Sequence, residues 1–531
     1  MIFLIKIDFY HVSLWPMQNK KLWFFLGLSF LEGASVMAAE LLGAKMMAPY
    51  FGSSLYVWSA VMAVTLFGLA AGYFAGGILS EKPNNEKILY RSLVFAAVFT
   101  IAMPYVARFA FMLFGKMSLE LAVTISSLLI LFPPVFLMGT VSPLIISAIS
   151  EKLNPGRASG TVYAVSTVGG ILATFIYGFY IIPLAGLTLP ALITGAVLGI
   201  VPLIKLIRHK DYLPNLILLG VFSFGIYKNT NVHAQGIIKV VYVSEGMLGQ
   251  IVVLDYPKDY YSGDSTLKGN YSRWLFVNRI SQTMDDPYAI SEKGEEKYFT
   301  YVFRIEKALD TFKTGHKKVL LLGLGGGSVA KHLTQLGFQV DVCELDARME
   351  YVARTYFGLP ENVNVTIDDA RHFINTCEEK YDAIIFDTFK GEEAPSHVFT
   401  VESLKKVNEM LNDNGLIIVN TFGFIEGEEG KGTRSIFKTL IESGFKTVAW
   451  PTGKNIYERN IEFLASKNSK INFNHPDFIL PEETDLEDAV ILTDEYPQFE
   501  IINARAALKW RTMAIDVFAN DPSQKVIPVF E

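Results

Sequence analysis

The chemistry this sequence can offer lies in carboxylates placed where apolar runs end. An apolar run at 319–322 enters a glycine cluster (Gly323, Gly325, Gly326, Gly327), and apolar residues then recur at helical spacing at Val329, Leu333 and Leu336. That pattern reads as strand, tight turn and helix. A second apolar run, 340–345, delivers Glu344, about 20 residues beyond the first glycine, where an acid in a nucleotide-binding α/β unit accepts hydrogen bonds from ribose hydroxyls. A third, 363–367, ends in Asp368 and Asp369, and a fourth, 381–386, ends in Asp387. Acids at the carboxyl ends of successive parallel strands stand where open α/β sheets bind ligands. The glycines let backbone pass close to a ligand at the helix N-terminus. The plainer alternative is that Glu344 or Asp369 only caps the helix that follows, since Asp is a preferred N-cap.

A pyrophosphate-binding turn reads GxGxxG, and here Ser328 holds the sixth place. A sulfonium nucleoside such as S-adenosylmethionine has no phosphate and carries positive charge near sulfur, so a glycine turn flanked by carboxylates suits it better.

On these residues the chain resembles the spermidine synthase family, the polyamine aminopropyltransferases, and more closely the bacterial members that fuse such a domain to a membrane bundle. The resemblance covers roughly 240–466 and extends to the membrane segments. It implies a methyltransferase-like Rossmann sheet and transfer of an aminopropyl group from decarboxylated S-adenosylmethionine to a diamine. It assigns Glu344 to the ribose, Asp369 with its neighbour Asp368 to the adenine side, and Asp387 to the attacking amine. Gly323, Gly325 and Gly327 form the nucleoside turn, Gln250 and Gln282 reach the nucleoside from a small N-terminal domain, and Tyr298 lines the amine channel. Departures fall on the diamine side. Gly326 and Lys390 stand where the family carries aspartates, and Phe299 and Thr300 replace its His and Glu. A lysine there repels a nearby ammonium by about 1 kcal/mol or more. Glu392 and Glu393 could supply the missing carboxylates from the closing loop.

Composition divides the chain. Of 531 residues 51% are hydrophobic and 19% charged, too apolar and too long for one ordinary soluble domain. Long apolar runs recur from Leu22 to about Tyr227, and from Lys228 onward the composition is globular. A net charge of −6 offers no basic footprint, so nucleic acid is not an expected partner. Cys343 and Cys377 read as small core residues, and the eight histidines show no metal-ligand spacing, so no metal is expected.

The apolar half predicts spans at 22–44, 56–79, 88–113, 119–149, 161–183, 187–207 and, less regularly, 212–227. Pro133, Pro134 and Pro143 kink the fourth or divide it. Gly68, Gly72, Gly76 and Gly77 mark a face for close helix packing. Glu32 and Glu40 lie inside the first span and should face the bundle interior, either in a structural pairing in which Lys45 is a candidate partner or as a site for a small cation or amine. Residues 1–16 are too short and too interrupted to span.

Basic residues gather at alternate loops (Lys20 and Lys21; Lys82, Lys87 and Arg91; Lys152 and Arg157; Lys205, Arg208 and Lys210), which places those loops in the cytoplasm. Seven spans would carry the following domain outside and six would keep it inside. The last segment, about 24 Å long as a helix against about 30 Å of hydrocarbon, could lie in the interface, and the expectation is a cytoplasmic catalytic domain.

Strand alternation at 238–244, 250–254 and 273–281 predicts a small β domain. A helix near 297–309 leads into the α/β sheet, a fifth strand follows at 415–421, and 446–450 with 461–466 form an antiparallel edge. The tail from Ile471 offers no chemistry, and Asp494 and Glu495 read as solvated or capping groups.

The sequence thus reads as a multi-pass α-helical membrane bundle followed by a small β domain and an α/β Rossmann-like (methyltransferase-type) domain. The division is 1–21 (N-terminal segment), 22–230 (six or seven transmembrane helices), 238–290 (small β domain), 297–470 (Rossmann-like domain) and 471–531 (tail). The expected function is membrane-bound aminopropyl transfer from decarboxylated S-adenosylmethionine to a small amine of polyamine type, with the lipid bilayer as partner and a homo-oligomer left open. The alternatives are an S-adenosylmethionine-dependent methyltransferase or other sulfonium chemistry, and a non-catalytic nucleoside-binding transporter or sensor.

Overall fold

The computed structural model describes residues 20–51, 55–114, 117, 119–150, 153–230, 238–246, 248–259, 265–289, 297–312, 317–388, 395–454, 459–468, 471, 473–480, 486–496 and 498–520. The expectations for residues 1–16, Lys152, Lys390, Glu392 and Glu393 lie outside the described residues.

The apolar half is a helical bundle: α1 (Lys20–Phe51), α2 (Leu55–Ser80), α3 (Asn85–Phe114), α4 (Leu119–Gly139), α5 (Val141–Ile149), α6 (Pro155–Ile176), α7 (Ile182–Ala185), α8 (Thr188–Arg208) and α9 (Leu213–Thr230). A single π-helical turn, Tyr177–Ile181, joins α6 to α7. Among the described residues, six helices are long and apolar enough to cross a membrane. Large apolar side chains such as Phe74 and Leu216 stay exposed on their outer faces. The fourth predicted span divides at Thr140, between α4 and α5. Pro143 explains the position, because its ring displaces the carbonyl four residues earlier, that of Gly139. Pro133 and Pro134 are accommodated inside α4.

Close approaches knit the bundle. Side chains added at Gly72 and Gly76 would strike the backbone of α4 at Phe136 to Thr140, whereas Gly77 faces open space. Gly33 and Gly169 bring α1 and α6 together in the same manner, beside a hydrogen bond of 3.0 Å from Ser166 to the buried Glu32. Lys45 stands over the Trp58 ring at 5.5 Å.

The segment 212–227, left between span and interface by its length, falls in a helix packed along the bundle. Along α9, Asn215 donates to the Leu203 carbonyl at 3.1 Å, Leu218 covers Gly199, and Gly225 meets Leu192. Contacts that descend α8 as they ascend α9 describe an antiparallel pair over their shared length. Arg91 and Lys87 pair with Asp211 in the α8–α9 turn, and Lys21 pairs with Glu86, so these basic residues sit at one end of the bundle. The chain leaves α9 at the other end.

There Glu245 accepts a hydrogen bond of 2.6 Å from the Leu187 amide in the α7–α8 turn. The antiparallel sheet β1 (Lys239–Ser244), β2 (Ile251–Pro257), β3 (Tyr271–Val277) and β4 (Ile280–Asp285) follows. Then come α10 (Thr300–Phe312), β5 (Lys318–Leu322), α11 (Ser328–Gln335), β6 (Gln339–Glu344), α12 (Ala347–Phe357), β7 (Asn364–Ile367), α13 (Ala370–Thr376), β8 (Tyr381–Phe386), α14 (Val401–Glu409), β9 (Leu411–Phe422), α15 (Lys431–Glu442), β10 (Lys446–Pro451), β11 (Asn460–Ser466) and α16 (Phe499–Asn520). The second sheet runs β10-β11-β9-β8-β5-β6-β7, parallel from β9 to β7, with β10 and β11 antiparallel. Its central strands are continuous apolar runs because helices cover both faces; every residue of β8 is buried.

Replacing Gly72 with leucine is expected to cost about 1–3 kcal/mol through overpacking against α4, while leucine at Gly77 leaves stability unchanged. Thermal unfolding in detergent compares the two; a Gly72→Leu protein that unfolds with the wild type would refute the close contact.

Candidate active site

Strand register brings the acids together. Glu344 ends β6 and its carboxylate bridges two turns, accepting the Leu324 amide at 2.8 Å and the Asp346 amide at 2.8 Å. Burial pushes its pKa above the ordinary carboxylate range, while those two amides pull it down. Asp346 caps α12, and Arg348 reaches from its first turn to Ser244 and to the Gly249 carbonyl at 3.0 Å, clamping the small sheet over this edge. Lys331 to Asp285 (2.8 Å) and the Gly326 amide to Thr283 (2.8 Å) add two further ties.

Asp368 and Asp369 follow β7. Asp369 does cap α13, accepting the Arg371 and His372 amides through Oδ1, which leaves Oδ2 facing His397 Nε2 at 3.3 Å. Asp368 Oδ2 pairs with His372 at 2.7 Å.

Asp387 follows β8, one strand over from the glycine turn. Its amide donates to the Leu322 carbonyl at 2.8 Å, and Gly323, at φ +92°, lies where any side chain would collide with the Asp387 carbonyl. The Asp387 carboxylate accepts Asn420 Nδ2 at 2.8 Å and the Tyr301 hydroxyl at 3.3 Å. Burial raises its pKa against the pull of those two donors. Burial, then the neighbouring Asp387, holds the Tyr301 phenol well above its ordinary value, so it stays a donor.

Glu344, Asp368, Asp369, Asp387, Gln282, Gly323 and Gly325 all line one cavity of about 330 Å³, the size range of a small-molecule site. Other expected residues stand apart. Gly327 caps α11 in a left-handed conformation against Leu359 and Ala353. Gln250 is buried beside Glu245 and Asn278. Tyr298 is buried among Phe303 and His332, whereas Tyr301, one helical turn further on, lines the cavity. Where the family pattern has an aspartate, Gly326 abuts the Thr283 side chain, which leaves no room for a longer group.

Sequence reasoning missed Tyr301, Asn420 and His397, and it missed two walls. Phe51 and Tyr56, at the α1–α2 connection, and Phe499, Asn503 and Leu508 of α16 also line the cavity. The tail is part of the site, and Asp494 is locked to Arg371 and Thr400 at 2.7 Å each. Asn420 had a legible signal: a lone amide in the apolar run of β9.

The geometry can hold a nucleoside at Glu344 and Asp369 and present a nucleophile to Asp387, which can take up a proton. Comparison with known proteins bears on which nucleoside and nucleophile. Residues 301–429 match the Spermine/spermidine synthase domain family. A polyamine aminopropyltransferase of Vibrio vulnificus is 31% identical over 273 residues, covering 47% of this chain and 91% of that protein. Polyamine aminopropyltransferase 2 of Aquifex aeolicus is 22% identical over 432 residues, 78% of this chain and 82% of that one. An N-terminal histidine N-methyltransferase of Emericella nidulans is 29% identical over 193 residues, 33% of this chain and 34% of that one. The chain belongs to the spermine/spermidine synthase family and is a transferase of the aminopropyl-transferring kind.

Proposed function

We propose that the protein is a membrane-embedded aminopropyltransferase that moves the aminopropyl group of decarboxylated S-adenosylmethionine onto a polyamine-type amine. The convergence of Glu344, Asp369 and Asp387 on one cavity carries the reading. The carboxylate oxygens of Glu344 keep lone pairs free for the ribose hydroxyls, and Asp369 Oδ2 with His397 bounds the adenine end. Asp387 orients a neutral amine for in-line attack on the carbon beside sulfur. The new N–C bond forms as the C–S bond breaks, the sulfonium becomes a neutral thioether, and the proton released by the amine goes to Asp387. The acids near sulfur favour the cationic donor over its neutral product, which helps product leave.

The same reading assigns a side of the membrane. Alternate-loop basic residues mark one end of the bundle as cytoplasmic, and α9 running antiparallel to α8 supports a catalytic domain at the other end, beside the α1–α2 and α7–α8 connections. This departs from the cytoplasmic expectation, which rested on leaving 212–227 out of the bundle.

Mass spectrometry after incubating the purified protein with decarboxylated S-adenosylmethionine, S-adenosylmethionine and a mixed polyamine pool should find aminopropylated amine only with the former; methylated product from the latter alone would overturn the reading. Asp387→Asn is expected to lower kcat about 10²- to 10⁴-fold. Because burial raises the Asp387 pKa and the amine is taken up by its ionised form, the wild-type rate should fall as pH drops through a value above the usual carboxylate range, and a rate flat to pH 4 would contradict this. For topology, a C-terminal alkaline phosphatase fusion should be active and a fluorescent-protein fusion dark; the reverse pair would place the domain in the cytoplasm.

A further inference from the structure

Strand β11 reads Asn460–Ser466 and is buried over nearly its whole length, yet it carries a glutamate, Glu462, whose exposure is 0%. Among the described residues, neither carboxyl oxygen of Glu462 has a hydrogen-bond partner. A buried carboxyl without donors is costly, and leucine would pack there at no such cost, so its position calls for a role.

The register supplies one. Phe386 pairs with Val419 in the β8–β9 ladder, so Asp387 stands beside Asn420. Asn420 faces Glu462 across β9–β11, and Glu462 faces Trp450 across β11–β10. Residues in one cross-strand row point to the same face of a sheet. Asp387, Asn420, Glu462 and Trp450 therefore form a row that begins at the reacting carboxylate, and its acids stand two strand spacings, about 10 Å, apart at the backbone. Helix α10 lies over the row. Tyr301 lines the cavity and bonds Asp387, while Arg304 stacks on Trp450 at 4.5 Å. Asn420 donates through Nδ2 to Asp387 and accepts through Oδ1 from Asn460 at 2.9 Å, so its amide is turned toward those two partners.

We propose that Glu462 is the second carboxylate of the amine-acceptor subsite, receiving the distal ammonium of a linear diamine whose other nitrogen is presented to Asp387. The proposal rests on the aminopropyl-transfer reading. It gives this chain an acid on β11 in place of those lost at Gly326 and Lys390. Around Glu462, Asp387 on β8, Tyr301 and Arg304 on α10 and the Trp450 ring on β10 set the electrostatics. Burial pushes its pKa well above the carboxylate range, Asp387 adds to the rise and Arg304 opposes it. An arriving ammonium works against that rise, favouring the ionised form of Glu462 and the release of a proton to solvent.

The test compares 1,4-diaminobutane with butylamine. In Glu462→Gln, KM for the diamine should rise about 10-fold or more relative to butylamine, while calorimetric affinity for 5′-methylthioadenosine stays at the wild-type value. Glu462→Leu keeps the fold packed, since buried charged groups are commonly replaced by apolar ones without loss, and should behave the same way. In the wild type saturated with 5′-methylthioadenosine, diamine binding measured in buffers of different ionisation enthalpy should release more protons than butylamine binding at pH 7. Diamine and butylamine KM values unchanged in both variants, or equal proton release, would overturn the proposal. Absence of aminopropyl transfer by the wild type to any amine would instead overturn the reading beneath it.

Discussion

The close approach of β8 to the glycine turn after β5 sets the rest of the site. Asp387 is brought to the cavity by an amide bond to Leu322 and by the missing side chain at Gly323, and both follow from the parallel register of the two strands. With that register fixed, β9 places Asn420 against Asp387 and β6 places Glu344 across the turn. A single residue of slippage would send each of these side chains to the opposite face. The acids converge because the parallel register of β5, β6, β7 and β8 brings the carboxyl ends of these strands to one edge of the sheet.

The site is also a composite of parts distant in sequence. The small sheet is held down by Arg348, Lys331 and Thr283, the bundle contributes Phe51 and Tyr56, and α16 closes the remaining side. The α1–α2 connection that lines the cavity belongs to the same bundle end as the α7–α8 turn that binds Glu245. The apolar helical half thus forms one wall of the cavity.

Much of this was legible in the sequence, and the misses share a cause. Parallel strands write themselves largely as apolar runs, so β5, β6, β7 and β8 and the acids at their ends could be placed from the sequence, although β7 is only partly buried and Asp341 and Asp382 interrupt β6 and β8. Helical faces are harder. Tyr298 and Tyr301 differ by one turn, and which one meets Asp387 depends on α10 starting at Thr300. Length alone left the segment 212–227 between span and interface, and its packing beside α3 and α8 could not be read from the sequence. Glu462 and Asn420 were overlooked because a polar residue inside an apolar strand counts as noise until the neighbouring strand is known. The tail has weak periodicity and acquires meaning only from the cavity it covers.

The buried acids carry an energetic consequence of their own. Glu344, Asp387 and Glu462 are all raised by burial. For an acid raised in the folded state, the stabilising contribution is complete below the ordinary carboxylate pKa of about 4 and is lost as pH rises through the raised value. Near neutrality the free domain therefore bears a cost for holding these groups out of water. A ligand that brings positive charge and N–H or O–H donors offsets that cost, and a neutral apolar one does not. The carboxylates that weaken the empty site are in this way the groups whose cost such a ligand offsets.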